Sequence, residues 1–181
     1  MKLSNYIAEY LRGQTEKVFC GNGGVVVNLL DSIANLYGIT HIPCQNEQGA
    51  AIAAEAYSRV SGKLGTALAT SGPGMINLMQ GIACAYFDSI PTLFIVGAPP
   101  TNHLKNGRRI RQLGFQEMDV VDIVKPITNY AVLLKDPYQI RYELEKLIYM
   151  AYNGNKGPVL LDLPDDIQRM DIDPDKLDSF A

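Results

Sequence analysis

Thr92-Leu93-Phe94-Ile95-Val96-Gly97, bounded by Pro91 and Pro99, is the stretch that decides the architecture. Its apolar residues run on without alternation. A strand with one wet face alternates, whereas an unalternating run suits a strand buried on both faces, as in a parallel sheet covered by helices on each side. Shorter extended runs lie on either side of it in the chain: Val18-Phe19-Cys20, His41-Ile42-Pro43-Cys44, Thr66 to Thr70, Ile127 to Leu134, and Pro158 to Leu163. Helical patterns separate them, through Leu29, Leu30, Ile33 and Leu36, from Glu47 to Val60, and from Met75 to Tyr86. Another begins at Asp136-Pro137 and carries Ile140, Leu144, Leu147 and Ile148. This alternation predicts an α/β fold, an open three-layer sandwich with a mostly parallel six-stranded sheet and helices on both faces.

Two segments fall outside the pattern. Thr101 to Gly114 is polar and rich in Gly and Arg, and reads as a loop. After Pro164 the chain turns acidic, with isolated apolar residues. The expectation is a domain over 1–164 and a linker over 165–181 towards a middle domain absent here.

With 181 residues, nearly half of them hydrophobic, the chain can form one sizeable core. A net charge of −3 without a Lys/Arg run leaves no electrostatic footprint for nucleic acid or an anionic membrane. Arg108, Arg109 and Arg111 form the one basic cluster and read as a solvated loop. Cys20, Cys44 and Cys84 are far apart and sit in apolar contexts, as reduced core or near-core thiols would. With no signal-peptide or membrane-length run, the expected location is the cytoplasm.

Ligands of open parallel sheets sit beyond the carboxyl ends of the strands, which singles out Gly21 to Gly24, Gln45 to Gly49, and Thr70 to Asn77. The last contains Gly72-Pro73-Gly74-Met75-Ile76-Asn77, close to a dinucleotide-binding GxGxxG. Asn77 replaces the final glycine, Pro73 removes a backbone donor, and no acid follows the next strand, so that reading fails. The plainer reading is a helix start, with Ser71 near the N-cap and Pro73 in the first turn. Gly21, Gly23 and Gly24 could cradle an anion, but a tight turn explains them equally well.

Glu47 is more informative. A Glu in a first helical turn is ordinarily a surface charge facing the helix dipole. Here Gly49-Ala50-Ala51-Ile52-Ala53-Ala54 follows, a helix with little bulk that suits close approach by another helix, as at a subunit interface. A carboxylate buried there could exchange a proton with a ligand nitrogen near neutral pH. Glu55 is the competing carboxylate and reads as a structural partner for Arg59.

Six motifs occur in order: Asn46 through Gly62; Ala69 through Gly74 with Asn77; Gly81-Ile82-Ala83 through Pro91; Gly114 through Asp119; Lys125 through Thr128; and Gly157 through Pro164. Together they resemble acetolactate synthase and related thiamine-diphosphate enzymes, in their N-terminal pyrimidine-binding domain. The resemblance implies a domain of a 2-oxo-acid decarboxylase or carboligase. Glu47 would be the activating carboxylate, bonding a ring nitrogen of the cofactor's aminopyrimidine and favouring its imino form. Pro73, Asn77, Thr70, Gly21 and Asn22 would border the cofactor, and Gly24, Phe115 and Gln116 the substrate.

The family's diphosphate and magnesium motif does not occur in the chain, so Mg2+ would be bound by a separate diphosphate-binding domain and no metal ligand is expected here. The chain alone should then bind the cofactor weakly or not at all and be inactive. FAD, held largely by the middle domain in this family, finds no support in these residues. Implied partners are a second copy, as a dimer or tetramer through the Ala-rich helix after Glu47, and a 2-oxo acid. The alternatives are a stand-alone subunit of a split decarboxylase and a non-catalytic assembly module. Asn46 stands where acetolactate synthases usually carry His, and Gly21-Asn22 where they carry an aromatic residue and Pro, which leaves the acceptor open.

Overall fold

The computed structural model describes residues 1–180. Its sheet has six strands: β1 (Lys17–Cys20), β2 (Thr40–Pro43), β3 (Gly65–Ala69), β4 (Thr92–Ala98), β5 (Tyr130–Leu133) and β6 (Pro158–Pro164). They lie in the order β2-β1-β3-β4-β6-β5, with every neighbouring pair parallel. All carboxyl ends therefore open on one edge of the sheet. The helices are α1 (Leu3–Arg12), α2 (Val27–Ala34), α3 (Glu47–Ser61), α4 (Pro73–Phe87), α5 (Val120–Val124), α6 (Ile140–Tyr152) and α7 (Asp165–Gln168).

The two sheet faces feed two separate cores. On β4, Leu93 and Ile95 join one core while Phe94 and Val96 join the other. The period-2 geometry of a strand sends successive side chains to opposite faces, so a strand apolar on both requires cover on both. One layer comprises α1, α2, α6 and α7; the other comprises α3, α4 and α5. The open three-layer sandwich read from the sequence is the fold observed, and its sheet is parallel throughout.

Several boundaries shift. The last helix before β6 opens with a 3-10 turn over Pro137–Gln139, where Asp136 caps by accepting from the Tyr138 amide at 3.0 Å. The strand expected over Ile127 to Leu134 is confined to Tyr130–Leu133, because Lys125–Ile127 forms a 3-10 turn around Pro126. Ser71 stands next to the cap of α4 and Pro73 in its first turn, as the sequence suggested. The cap position is Gly72, at φ 61° and ψ −122°, a conformation open to glycine.

The segment expected to leave the domain as a linker lies against it instead. Ile167, Ile172 and Leu177 are buried in the first core. Gln168 is fully buried, donating to the carbonyls of Val25 at 2.7 Å and Leu163 at 3.2 Å. The Leu3 amide donates to Met170 at 2.8 Å, and the Ile172 amide to Met1 at 2.9 Å. The isolated apolar residues of this acidic stretch are the ones that dock, completing the layer begun by α1.

Cys20 is buried and Cys44 partly so, but Cys84 is exposed on α4, contrary to the near-core expectation. Burial pushes the Cys20 thiol up to about 12. Among the described residues no helix is long and apolar enough to cross a membrane.

Asp162 on β6 is 3% exposed, and one of its carboxyl oxygens has no hydrogen-bond partner among the described residues. Desolvation raises its pKa to about 8, whereas an unfolded Asp titrates near about 4. The native state then holds a proton that the unfolded state releases, so stability falls as pH rises from about 4 towards about 8. Asp162→Asn should flatten that fall in urea unfolding at a series of pH values. An unaltered pH profile would exclude the assignment.

Candidate functional site

The site forms where β1, β2 and β3 end. After β2 the chain bends through Gln45 to Asn46, whose side-chain oxygen accepts from the Gly49 amide at 2.8 Å and caps α3. This fixes Glu47 as the first residue of the helix. Asn at that position has a local structural role that its deviation from the family pattern had concealed.

Glu47 is half-buried. Its Oε2 accepts from Asn77 Nδ2 at 2.9 Å. Its Oε1 has no hydrogen-bond partner and the carboxylate joins no ion pair among the described residues. Backbone packs closely around it. A Cβ on Gly21 would lie 2.5 Å from Glu47 Cγ and 3.0 Å from Oε1, and one on Gly74 would lie 3.5 Å from Oε1. Thr70 fills the adjoining space: a Cβ on Gly23 would sit 2.3 Å from its Cβ, and one on Gly74 2.8 Å from its Cγ2. Gly21, Gly23 and Gly74 thus form a backbone cradle that the side chains of Glu47 and Thr70 themselves fill.

The contact between α3 and α4 places Asn77. At its centre a Cβ on Gly81 would lie 2.4 Å from Ala51 Cβ and 2.7 Å from its carbonyl carbon. The helices run side by side in the same direction, so further pairs follow in order. Glu47 meets Asn77, Gln48 meets Gln80, and Arg59 reaches Asp88 while also pairing with Glu55. Glu55 is therefore Arg59's partner, as the sequence suggested. The small residues of α3 serve this contact within the chain through Ala51 and Ala54. Gly49, Ile52 and Ala56 remain exposed.

A groove of about 480 Å³ lies beside Asn77, the residue bonded to this carboxylate, lined by Pro73, Ile76 and Asn77 on one wall and Gln112, Gln116 and Met118 on the other. Gln116 has φ 54° and packs on Gly72, where a Cβ would lie 2.7 Å from Gln116 Cβ. Of the residues singled out in the sequence, Glu47, Asn77, Thr70 and Gly21 come together, and Pro73 and Gln116 flank the groove. Asn22 and Gly24 are exposed beside the cluster, and Gly24 has nothing within 4 Å of a Cβ. Phe115 does not line the groove and is 79% exposed. Gly74 is the member the sequence reading missed. Its only signal was its place next to Pro73.

A partly desolvated carboxylate with one oxygen held and the other open can accept a hydrogen bond from a ligand N–H and exchange a proton along it. That chemistry fits the aminopyrimidine of thiamine diphosphate.

Residues 1–123 match the family described as "Thiamine pyrophosphate enzyme, N-terminal TPP binding domain". The chain is similar to the acetolactate synthase large subunit of Lactococcus lactis, 40% identical over 157 residues, covering 87% of this chain and 26% of that protein. It is 37% identical to the chloroplastic acetolactate synthase of Arabidopsis thaliana, over 93% of this chain and 24% of that one. The probable large subunit of Methanocaldococcus jannaschii is 36% identical, over 97% of this chain and 29% of that protein. The chain thus spans about a quarter of the length of these relatives.

Gly81→Ala tests the helix contact that sets this geometry. Overpacking there should cost about 1–3 kcal/mol in urea unfolding. The control Gly24→Ala, at a position with open space, should stay within about 0.5 kcal/mol of the wild type. Equal stability of the two variants would contradict the packing described.

Proposed function

The chain belongs to the thiamine pyrophosphate enzyme family, as an N-terminal TPP binding domain, and on that premise we propose that it is the pyrimidine-binding half of a 2-oxo-acid decarboxylase or carboligase, with Glu47 as the activating carboxylate. The observation that carries this is the open Oε1 of Glu47 inside a glycine cradle, with Oε2 tied to Asn77. Glu47 would accept from the protonated ring nitrogen of the aminopyrimidine and exchange that proton. Asn77 holds the carboxylate in one rotamer by donating to Oε2. Gly21, Pro73 and Asn22 would border the ring, and Thr70, packed against Gly23 and Gly74, would lie towards the reacting side. Thiamine diphosphate, when bound, supplies the electron sink for cleaving the bond next to a 2-oxo acid's carbonyl. Gly24, Phe115 and Gln116 would face the substrate.

The proposal includes a partner. Diphosphate and Mg2+ would be bound by a separate domain, for which the chain's share of its relatives' length leaves ample room. Gly49, Ile52, Ala56 and Ile76 form a small-sided, partly apolar exposed face on α3 and α4 next to Glu47. A second copy seated there, in a dimer or tetramer, would complete the burial of a carboxylate that is half-buried in the single chain. Such an enzyme would work in the cytoplasm.

In the assembled enzyme, Glu47→Gln should lower turnover of 2-oxo acids by on the order of 10²- to 10⁴-fold, the usual worth of a positioned acid or base. Turnover equal to wild type would remove the catalytic role. Titration calorimetry of this chain alone should show weak thiamine diphosphate binding, or none, with or without Mg2+. Tight, Mg2+-dependent binding would refute the requirement for a second domain.

A further inference from the structure

We propose that Glu117 is a positioning residue, which sets the far wall of the groove by clipping together the two arms of the loop that carries it. The loop between Leu104 and Gly114 has no helix or strand, and residues 106–113 are exposed. Such a segment has little apolar burial of its own to hold it. Glu117 is the exception beside it, a carboxylate only 9% exposed. Its Oε1 accepts from the Lys105 amide at 2.5 Å and its Oε2 from the Leu113 amide at 2.8 Å. These donors sit at opposite ends of the loop, so a single side chain closes it. Lys105 Nζ adds an ion pair with Asp119 at 2.6 Å, outside the clip. Because Lys105 and Asp119 are on or near the surface, that pair adds little. The amide bonds to a buried carboxylate are the stronger hold.

What the clip presents is the Gln112–Met118 wall. Gln116, directly before Glu117, has a left-handed backbone at φ 54°. A residue with a Cβ persists there only where its surroundings over-determine it. The contacts that do so are Gly72 on one side and the Glu117 clip on the other. Gly114 is fixed as well, since a Cβ there would lie 2.5 Å from Pro99 Cβ. Gln112 and Gln116 consequently face Pro73 and Asn77 across the groove, and Asn77 is the residue that holds Glu47. Both Glu117 oxygens are occupied by backbone amides, so Glu117 shapes the wall without reacting at it. This role in substrate binding rests on the reading of the groove given above; the clip itself does not.

The test compares Glu117→Ala and Glu117→Gln in the assembled enzyme by amide hydrogen exchange and by kinetics. Glu117→Ala should speed exchange at Lys105 and Leu113 by roughly tenfold or more, the factor of one lost hydrogen bond, while β3 and β4 stay protected. KM for the 2-oxo acid should rise several-fold with kcat much less affected, because the wall binds substrate and does no chemistry. Glu117→Gln keeps one acceptor oxygen and should fall between the Ala variant and the wild type in both measurements. Unchanged exchange at the two amides would overturn the clip. So would faster exchange spread evenly through the core strands, the mark of a merely structural role. Altered loop exchange with KM unmoved would overturn the positioning role. If the wild-type enzyme turned over no 2-oxo acid, the functional reading would fail, and the exchange data would still decide the clip.

Discussion

The rest of the site depends on the close approach of α3 and α4 where Gly81 meets Ala51. A methyl group at Gly81 would lie 2.4 Å from Ala51 Cβ, so no larger residue fits without parting the helices. Their separation sets the distance between Glu47 on one helix and Asn77 on the other, and with it the 2.9 Å bond that orients the carboxylate. Core packing of this kind transmits displacement instead of absorbing it. A site residue can therefore be disturbed from about one helical turn away without being touched.

The same packing leaves the site one-sided. Glu47 has a fixed oxygen and an open one, backbone packed against it, and no ion-pair partner among the described residues. It is a half-buried carboxylate at the edge of an exposed small-residue face. On the proposed reading, a cofactor met by one fixed carboxylate would gain orientation here before affinity, and further affinity would come from groups elsewhere.

Much of this was legible in the sequence because it is local. The unalternating run at Thr92 gives Leu93 and Ile95 to one core and Phe94 and Val96 to the other, as a doubly covered strand must. The helix that begins at Glu47 could be read from its own residues, whereas the role given to Glu47 came from the resemblance. What could not be read depends on distant partners or on backbone angles. The docked tail is fixed by Met1, Leu3, Val25 and Leu29, all more than 130 residues away. Gly72 takes the cap of α4 through a positive φ, which has no sequence signature beyond the glycine itself. Glu117 looked like an ordinary acid in a polar loop, since the amides it binds are invisible in a sequence. Phe115 was placed at the substrate by motif alone, and the chain leaves it exposed.

The most direct test of the account is the rate at which the C2 proton of bound thiamine diphosphate exchanges with D2O in the assembled enzyme, measured by quenched-flow NMR. The account predicts exchange much faster than in the free cofactor for the wild type, and a return towards the free rate in Glu47→Gln. A Glu47→Gln enzyme that exchanged this proton as fast as the wild type would contradict it.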